Sequence, residues 1–388
     1  MRRATLTLVL LTIAVFAFCV EPFVSGVTAA QRTDGSQIIE IWYDVEDADS
    51  DTLTIVLEVS DDGGQTFAVV PDPANLSGDL GAGITPGTGK HIEWAIGAES
   101  VDYDSDSFVV KVSAIEPTPP IPSGMVLVPA GTFQMGRVGV AEPVHTVTLD
   151  AYWIGKYEVT IADCILFMNY VGMDISGVYN GNQCVSGING DSGIYMSGGE
   201  FVFQGGTYNA YSNCPMICIT WYGAVEYCNW RSSIDGYTPC YNVNGTSITC
   251  NWDADGYRLP TEAEWEYSAR GATNTPDYTY AGSNNLDDVG WYTGNNSPFG
   301  CKPVGQKGSN GIGTKDQSGN VWEWCWDWYG SYSSSSQTNP HGPDTGSIRV
   351  LRGSSWLNNA FSCAVAYRES YQPSNVNIHI GFRVCRKF

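Results

Sequence analysis

Residues Asp316-Gln317-Ser318-Gly319-Asn320-Val321-Trp322-Glu323 set two carboxylates on either side of a glycine-containing turn. Carbonyls of such a turn can face one point, and a hard divalent cation such as calcium takes carboxylate and carbonyl oxygens as ligands. A second group with chemistry is the cysteines. Beyond Cys19 there are eleven, which in an oxidising compartment read first as disulfides and only then as metal ligands or nucleophiles. The odd number leaves at least one unpaired. Cys240 and Cys250 flank the turn Val243-Asn244-Gly245-Thr246 and are expected to bridge locally. With no Cys-x-x-Cys pair, a zinc ribbon is not supported. The four histidines, His91, His145, His341 and His379, are scattered, and there is no Walker loop, Gly-x-Gly-x-x-Gly fingerprint or Gly-x-Ser-x-Gly elbow.

The elements that must position these residues fall into two parts. Residues 24–115 alternate apolar and polar side chains in short runs, such as Thr52-Leu53-Thr54-Ile55-Val56-Leu57-Glu58-Val59, and period two means strands. This predicts a small all-β sandwich of immunoglobulin or fibronectin type over residues 23–116. Within it, Asp47-Ala48-Asp49-Ser50-Asp51 imitates a calcium loop, but Thr52 stands where that loop needs glycine, so an acidic turn is expected. Ser60-Asp61-Asp62-Gly63-Gly64-Gln65-Thr66-Phe67 resembles an Asp-box hairpin whose carboxylate caps backbone N–H groups. The proline-rich stretch 117–123 cannot form helix or central strand and marks a linker. From residue 124 to 388, helices and strands are mixed. Thr160 with Asp163 opens one helix, a second runs from about Tyr222 to Ser232, and Thr261 with Glu264 forms the capping box of a third.

Composition narrows the partners. The net charge is -22, and no Lys/Arg cluster gathers phosphates, so nucleic acid is excluded as a partner. Met1-Arg2-Arg3 followed by a short apolar run reads as a signal peptide over residues 1–22. Cleavage is the favoured outcome, with lipidation at Cys19 or an uncleaved anchor as alternatives. A secreted, periplasmic or cell-surface protein of bacterial type follows, with no transmembrane span in the mature chain.

Five blocks then carry a specific resemblance: the run from Met125-Val126-Leu127-Val128 to Gly136, Arg258-Leu259-Pro260-Thr261-Glu262-Ala263-Glu264-Trp265-Glu266-Tyr267, Gly319-Asn320-Val321-Trp322-Glu323-Trp324, Arg352-Gly353-Ser354-Ser355-Trp356, and Ile380-Gly381-Phe382-Arg383-Val384. Their order over residues 123–388 resembles the formylglycine-generating-enzyme, or sulfatase-modifying-factor, family. That resemblance implies an α+β fold of C-type-lectin type with little regular secondary structure, stabilised by calcium. Its ligands would be the side chains of Asp316 and Glu323 and the carbonyls of Gly319 and Val321. It also implies a disulfide between Cys228 and Cys385.

Enzymes of the family oxidise a cysteine of a client sulfatase to formylglycine, using two cysteines that hold Cu(I), a soft ion suited to thiolates. The count from the Arg352 block puts Asn358 at the first cysteine, Asn359 where the enzymes have histidine, and Cys363 at the second cysteine. Cys363 also has a structural reading, as a disulfide with Cys325. Ser355 and Arg368 match groove positions, and Asn358, Asn359, Arg368 and His379 are the candidate groove residues. Two functions compete: a calcium-stabilised domain binding a protein, peptide or glycan, and a Cu(I)/oxygen oxidoreductase with Cys363 and Ser355 as catalytic residues. The absent first cysteine favours binding. So does the segment 357–379, which resembles the variable segment of diversified proteins on the same fold.

Overall fold

A computed structural model describes residues 22–47, 52–99, 108–115, 124–274 and 276–388. The expected signal segment, Cys19, most of the acidic stretch after Asp47 and the proline-rich spacer 117–123 lie outside the described residues. The chain divides into two compact units between Pro120 and Ile121.

The first unit consists of strands β1 (Phe23–Gln31), β2 (Ile39–Glu46), β3 (Leu53–Ser60), β4 (Leu76–Gly78), β5 (Gly81–Ile84), β6 (Gly87–Trp94) and β7 (Val109–Ile115). They form two antiparallel sheets, ordered β1-β2-β6-β4 and β5-β3-β7. Alternation decides which face is buried: Ile39, Ile41, Tyr43 and Val45 from one sheet meet Leu53, Ile55, Val59 and Val112 from the other in a single core. Glu58, on β3, is paired with Lys111 at 2.6 Å on the outer side. The hairpin after β3 is built as its sequence suggests. Asp62 Oδ1 accepts the N–H groups of Gln65 and Thr66, both at 2.9 Å, and these bonds hold its carboxyl down at about 2.

The second unit mixes helices into a larger number of short strands. Its first strand, Met125–Val128, lies beside Tyr152–Gly155, which pairs in turn with the last strand, Cys385–Lys387. Both ends of the unit are thereby held in one sheet. A second sheet joins Arg368–Tyr371, Arg349–Arg352, Trp322–Trp328 and Ile380–Gly381. Three helices pack around these sheets: α1 (Ile161–Tyr170), α2 (Trp221–Ile234) and α3 (Glu262–Ala269). The capping boxes of Thr160 with Asp163 and of Thr261 with Glu264 are both present.

Every residue of α3 is buried, including three glutamates, and burying unpaired charge is costly. Each glutamate is therefore met by an arginine: Glu262 by Arg368, Glu264 by Arg258, and Glu266 by both Arg352 and Arg270. These pairs clamp the helix into the centre of the fold. Among the described residues, no helix is long and apolar enough to cross a membrane.

Candidate functional site

The turn at residues 316–323 is shaped by its backbone. Asp316 and Asn320 take left-handed conformations at φ 62° and 60°, and Gly319 does so at 93°. A Cβ on Gly319 would sit 2.2 Å from the Trp291 carbonyl oxygen, so only glycine fits. Asn320 locks the turn from inside. Its Oδ1 accepts the Lys302 N–H at 3.0 Å and its Nδ2 donates to the Lys302 carbonyl at 3.3 Å.

The two expected carboxylate ligands have different surroundings. Both oxygens of Glu323 are engaged: Arg383 donates through Nε at 2.6 Å and Nη2 at 2.7 Å, and Trp265 Nε1 donates at 2.7 Å. Asp316 accepts the Gly305 N–H on Oδ2 at 2.6 Å, while its buried Oδ1 has no partner. A third carboxylate, Glu158, lies in electrostatic contact with both and is 2% exposed, with neither oxygen hydrogen-bonded. Burial pushes Glu158 well above the usual carboxylate range, the charges of Asp316 and Glu323 adding to it, and burial lifts Asp316 to about 6.

Three carboxylates against one close guanidinium, with buried oxygens unsatisfied on two of them, suit a divalent cation. Asp316 and Glu158 would hold it with the carbonyls of Gly319 and Val321, while Glu323 is committed to Arg383 and Trp265. Sequence reasoning missed Glu158. Its signal was a carboxylate set between Tyr157 and Val159 immediately before the cap of α1. Among the described residues, the trio whose ligand atoms lie within 4.8 Å of one another is instead Glu40, His91 and Glu93 of the first unit. There Arg32 bonds both glutamates and already supplies the positive charge.

The groove residues are brought together in part. Ser355 Oγ donates to Asn358 Oδ1 at 2.6 Å, and Trp322 Nε1 donates to the same oxygen at 3.1 Å. The Asn358 carbonyl accepts both the N–H and the hydroxyl of Thr293 at 3.0 Å. Asn359 caps the short 3-10 turn Ala360–Cys363. His379 is tied to Trp322 through its carbonyl at 2.8 Å, and burial depresses its imidazole to about 4. Arg368 stands apart. It pairs with Glu262, lies over Tyr329 and Tyr332, and lines a cavity of about 250 Å³ with Asp327 and His145, to which neither Ser355 nor Asn358 contributes.

None of the three expected cysteine bridges is formed in this structure, in which the eleven cysteines beyond Cys19 are unbridged. Cys325 packs with Trp265, Ala269 and Val350, whereas Cys363 packs with Leu286 and Val289, so the two belong to separate clusters. The Cys385 sulfur accepts Arg258 Nη1 at 2.9 Å, which occupies it on the side of the Glu264 pair, and it is not joined to Cys228. Cys240 donates to the Gly256 carbonyl at 3.2 Å, and Cys250 stands opposite Tyr241 in the hairpin rather than opposite Cys240. Burial pushes the Cys363 thiol up to about 12, so it stays protonated at neutral pH.

One buried, protonated thiol at Cys363 and a hydrogen-bonded amide at Asn358 do not make a two-thiolate Cu(I) site, so the residues present do not fit copper.

Comparison with known proteins places this arrangement. Residues 112–388 match the sulfatase-modifying factor enzyme 1-like domain, a span that starts in β7 of the first unit. The chain is 31% identical over 293 residues to the chaperone protein LppX of Paenibacillus barcinonensis, covering 68% of this chain and 89% of that protein. It is 29% identical over 367 residues to the formylglycine-generating enzyme of Mus musculus, covering 85% and 92%. Among solved structures, Treponema denticola variable protein 1 superposes with a TM-score of 0.54 at 30% identity, covering 68% of this chain and 95% of that one. On the strength of this match and of the five ordered blocks that build its buried centre, the chain belongs to the sulfatase-modifying-factor (FGE-sulfatase) family.

Proposed function

We propose that this chain is an exported, calcium-stabilised binding member of its family that lacks the first catalytic cysteine. The observation that carries this reading is the state of Asn358. Its amide oxygen accepts from both Ser355 and Trp322, leaving at that position no soft ligand. The buried, protonated Cys363 thiol supports the same conclusion.

Calcium is supported by the unpartnered oxygens of Asp316 and Glu158, and the cation would neutralise carboxylates that otherwise repel each other. This chain's own residues then act as a scaffold. Asn320 holds the turn against Lys302, and Trp322, which opens the strand after it, presents its indole N–H to Asn358. The ligand class is a protein, peptide or glycan at the surface around Ser355 and Asn358. The shared core of the two sheets supports an immunoglobulin- or fibronectin-like label for the first unit, and the short strands and long loops of the second support a C-type-lectin-like one.

The test is incubation of the purified protein with Cu(I), oxygen and a Cys-x-Pro-x-Arg peptide, followed by mass spectrometry. No stoichiometric copper uptake and no aldehyde product are expected. Robust turnover would instead establish the alternative, a copper- and oxygen-dependent oxidoreductase.

A further inference from the structure

Two segments far apart in sequence are laced together near the turn. The Cys301 N–H donates to the Tyr208 carbonyl at 2.9 Å, and the Val304 N–H donates to the Asn213 carbonyl at 3.0 Å. This double tie brings the Cys214 thiol to 3.8 Å from the Cys301 carbonyl oxygen, across a sequence separation of 87. It also sets the two sulfurs beside each other, with the Cys301 thiol donating to the Tyr208 carbonyl at 3.2 Å. Cys214 is fully buried and Cys301 is 5% exposed.

We propose that Cys214 and Cys301 are a modification site, joined as a disulfide by thiol–disulfide exchange with a small-molecule disulfide such as oxidised glutathione. One thiolate attacks the reagent's S–S bond, forming a mixed disulfide and releasing one glutathione thiolate. The second protein thiolate attacks the protein sulfur of the mixed disulfide and releases the other. Two protein thiols are oxidised, the reagent is reduced to two thiols, and both protons end on glutathione.

Proximity is the requirement, and the backbone ties supply it. Because both thiols are buried once folded, the exchange belongs to folding rather than to the finished protein.

The staple has a structural consequence. Cys301 precedes Lys302, whose backbone is bonded on both sides to the Asn320 side chain, so the cross-link braces the turn at residues 316–323.

The experiment refolds the reduced full chain in a glutathione redox buffer, alkylates free thiols and maps the peptides by mass spectrometry. A Cys214–Cys301 cross-linked peptide, lighter by two hydrogens, is expected. Reductant should then lower the melting temperature by on the order of 5–10 °C. That reductant-sensitive shift should vanish in Cys214→Ser and in Cys301→Ser but persist in Cys164→Ser. Recovery of both cysteines as alkylated thiols from folded, oxidised protein would overturn the proposal, as would a full reductant shift in Cys214→Ser. If a variant fails to fold, the peptide map of the unaltered chain decides alone.

Discussion

Glu323 and Arg383 form a bidentate ion pair with no solvent exposure on either side chain, at 2.6 Å and 2.7 Å, and Trp265 Nε1 donates at 2.7 Å to the oxygen that Arg383 Nε also reaches. Such a pair joins the end of the turn at residues 316–323 to the last of the five blocks, and it leaves the oxygens of Glu158 and Asp316 Oδ1 as the unpartnered ones. Breaking it leaves a buried uncompensated charge, which typically costs about 3–5 kcal/mol. Arg383→Met should lose stability on that scale in urea unfolding, and a loss under about 1 kcal/mol would refute the role given to the pair.

Calcium should stabilise the protein, by about 2.7 kcal/mol at a hundredfold excess over Kd. Glu158→Gln separates metal binding from ordinary packing. In excess chelator the variant should melt at or above the parent temperature, because an unpartnered buried carboxylate is gone. With calcium present its gain should shrink. Identical melting of the unaltered protein with calcium and with chelator would rule out the site.

Asn358→Ala removes the common acceptor of Ser355 Oγ and Trp322 Nε1. Buried donors left without a partner cost about 1–3 kcal/mol, so equilibrium denaturation should show a loss of that order. A neutral substitution would mean that these bonds do not organise the groove.

His379 gives a pH dependence. Its folded pKa is depressed by burial to about 4, below the ordinary histidine value near 6.5, so its contribution is fully present above pH 6.5 and lost as pH falls toward 4. Discounted for partial exposure, the loss is about 1–2 kcal/mol. His379→Phe should flatten that limb when unfolding free energies are compared at pH 7 and pH 4.5, and parallel curves for the two proteins would contradict the assignment.

Much of the fold was legible in the chain because the signals were local. Period-two alternation located the strands that build the core of the first unit, and Thr160 with Asp163 and Thr261 with Glu264 announced two helices through side chains three residues apart. The five ordered blocks carried the family. The proposal that Asn358 stands where family enzymes carry the first cysteine likewise came from counting along the chain.

Tertiary structure decided the pairings, because these depend on which distant segments meet. Nothing in the spacing of residues 316–323 says that Arg383 and Trp265 take both oxygens of Glu323, or that Glu158, more than a hundred residues earlier, supplies unsatisfied ones in its place. The sequence and the family resemblance together led to three expected bridges, whereas the fold puts Cys325 and Cys363 in separate clusters and Cys385 against Arg258. It brings Cys214 to Cys301 instead, through two backbone hydrogen bonds between loops. Local patterns specify elements through the backbone's own periodicity, but contacts between charges and thiols are settled only when packing closes one segment over another.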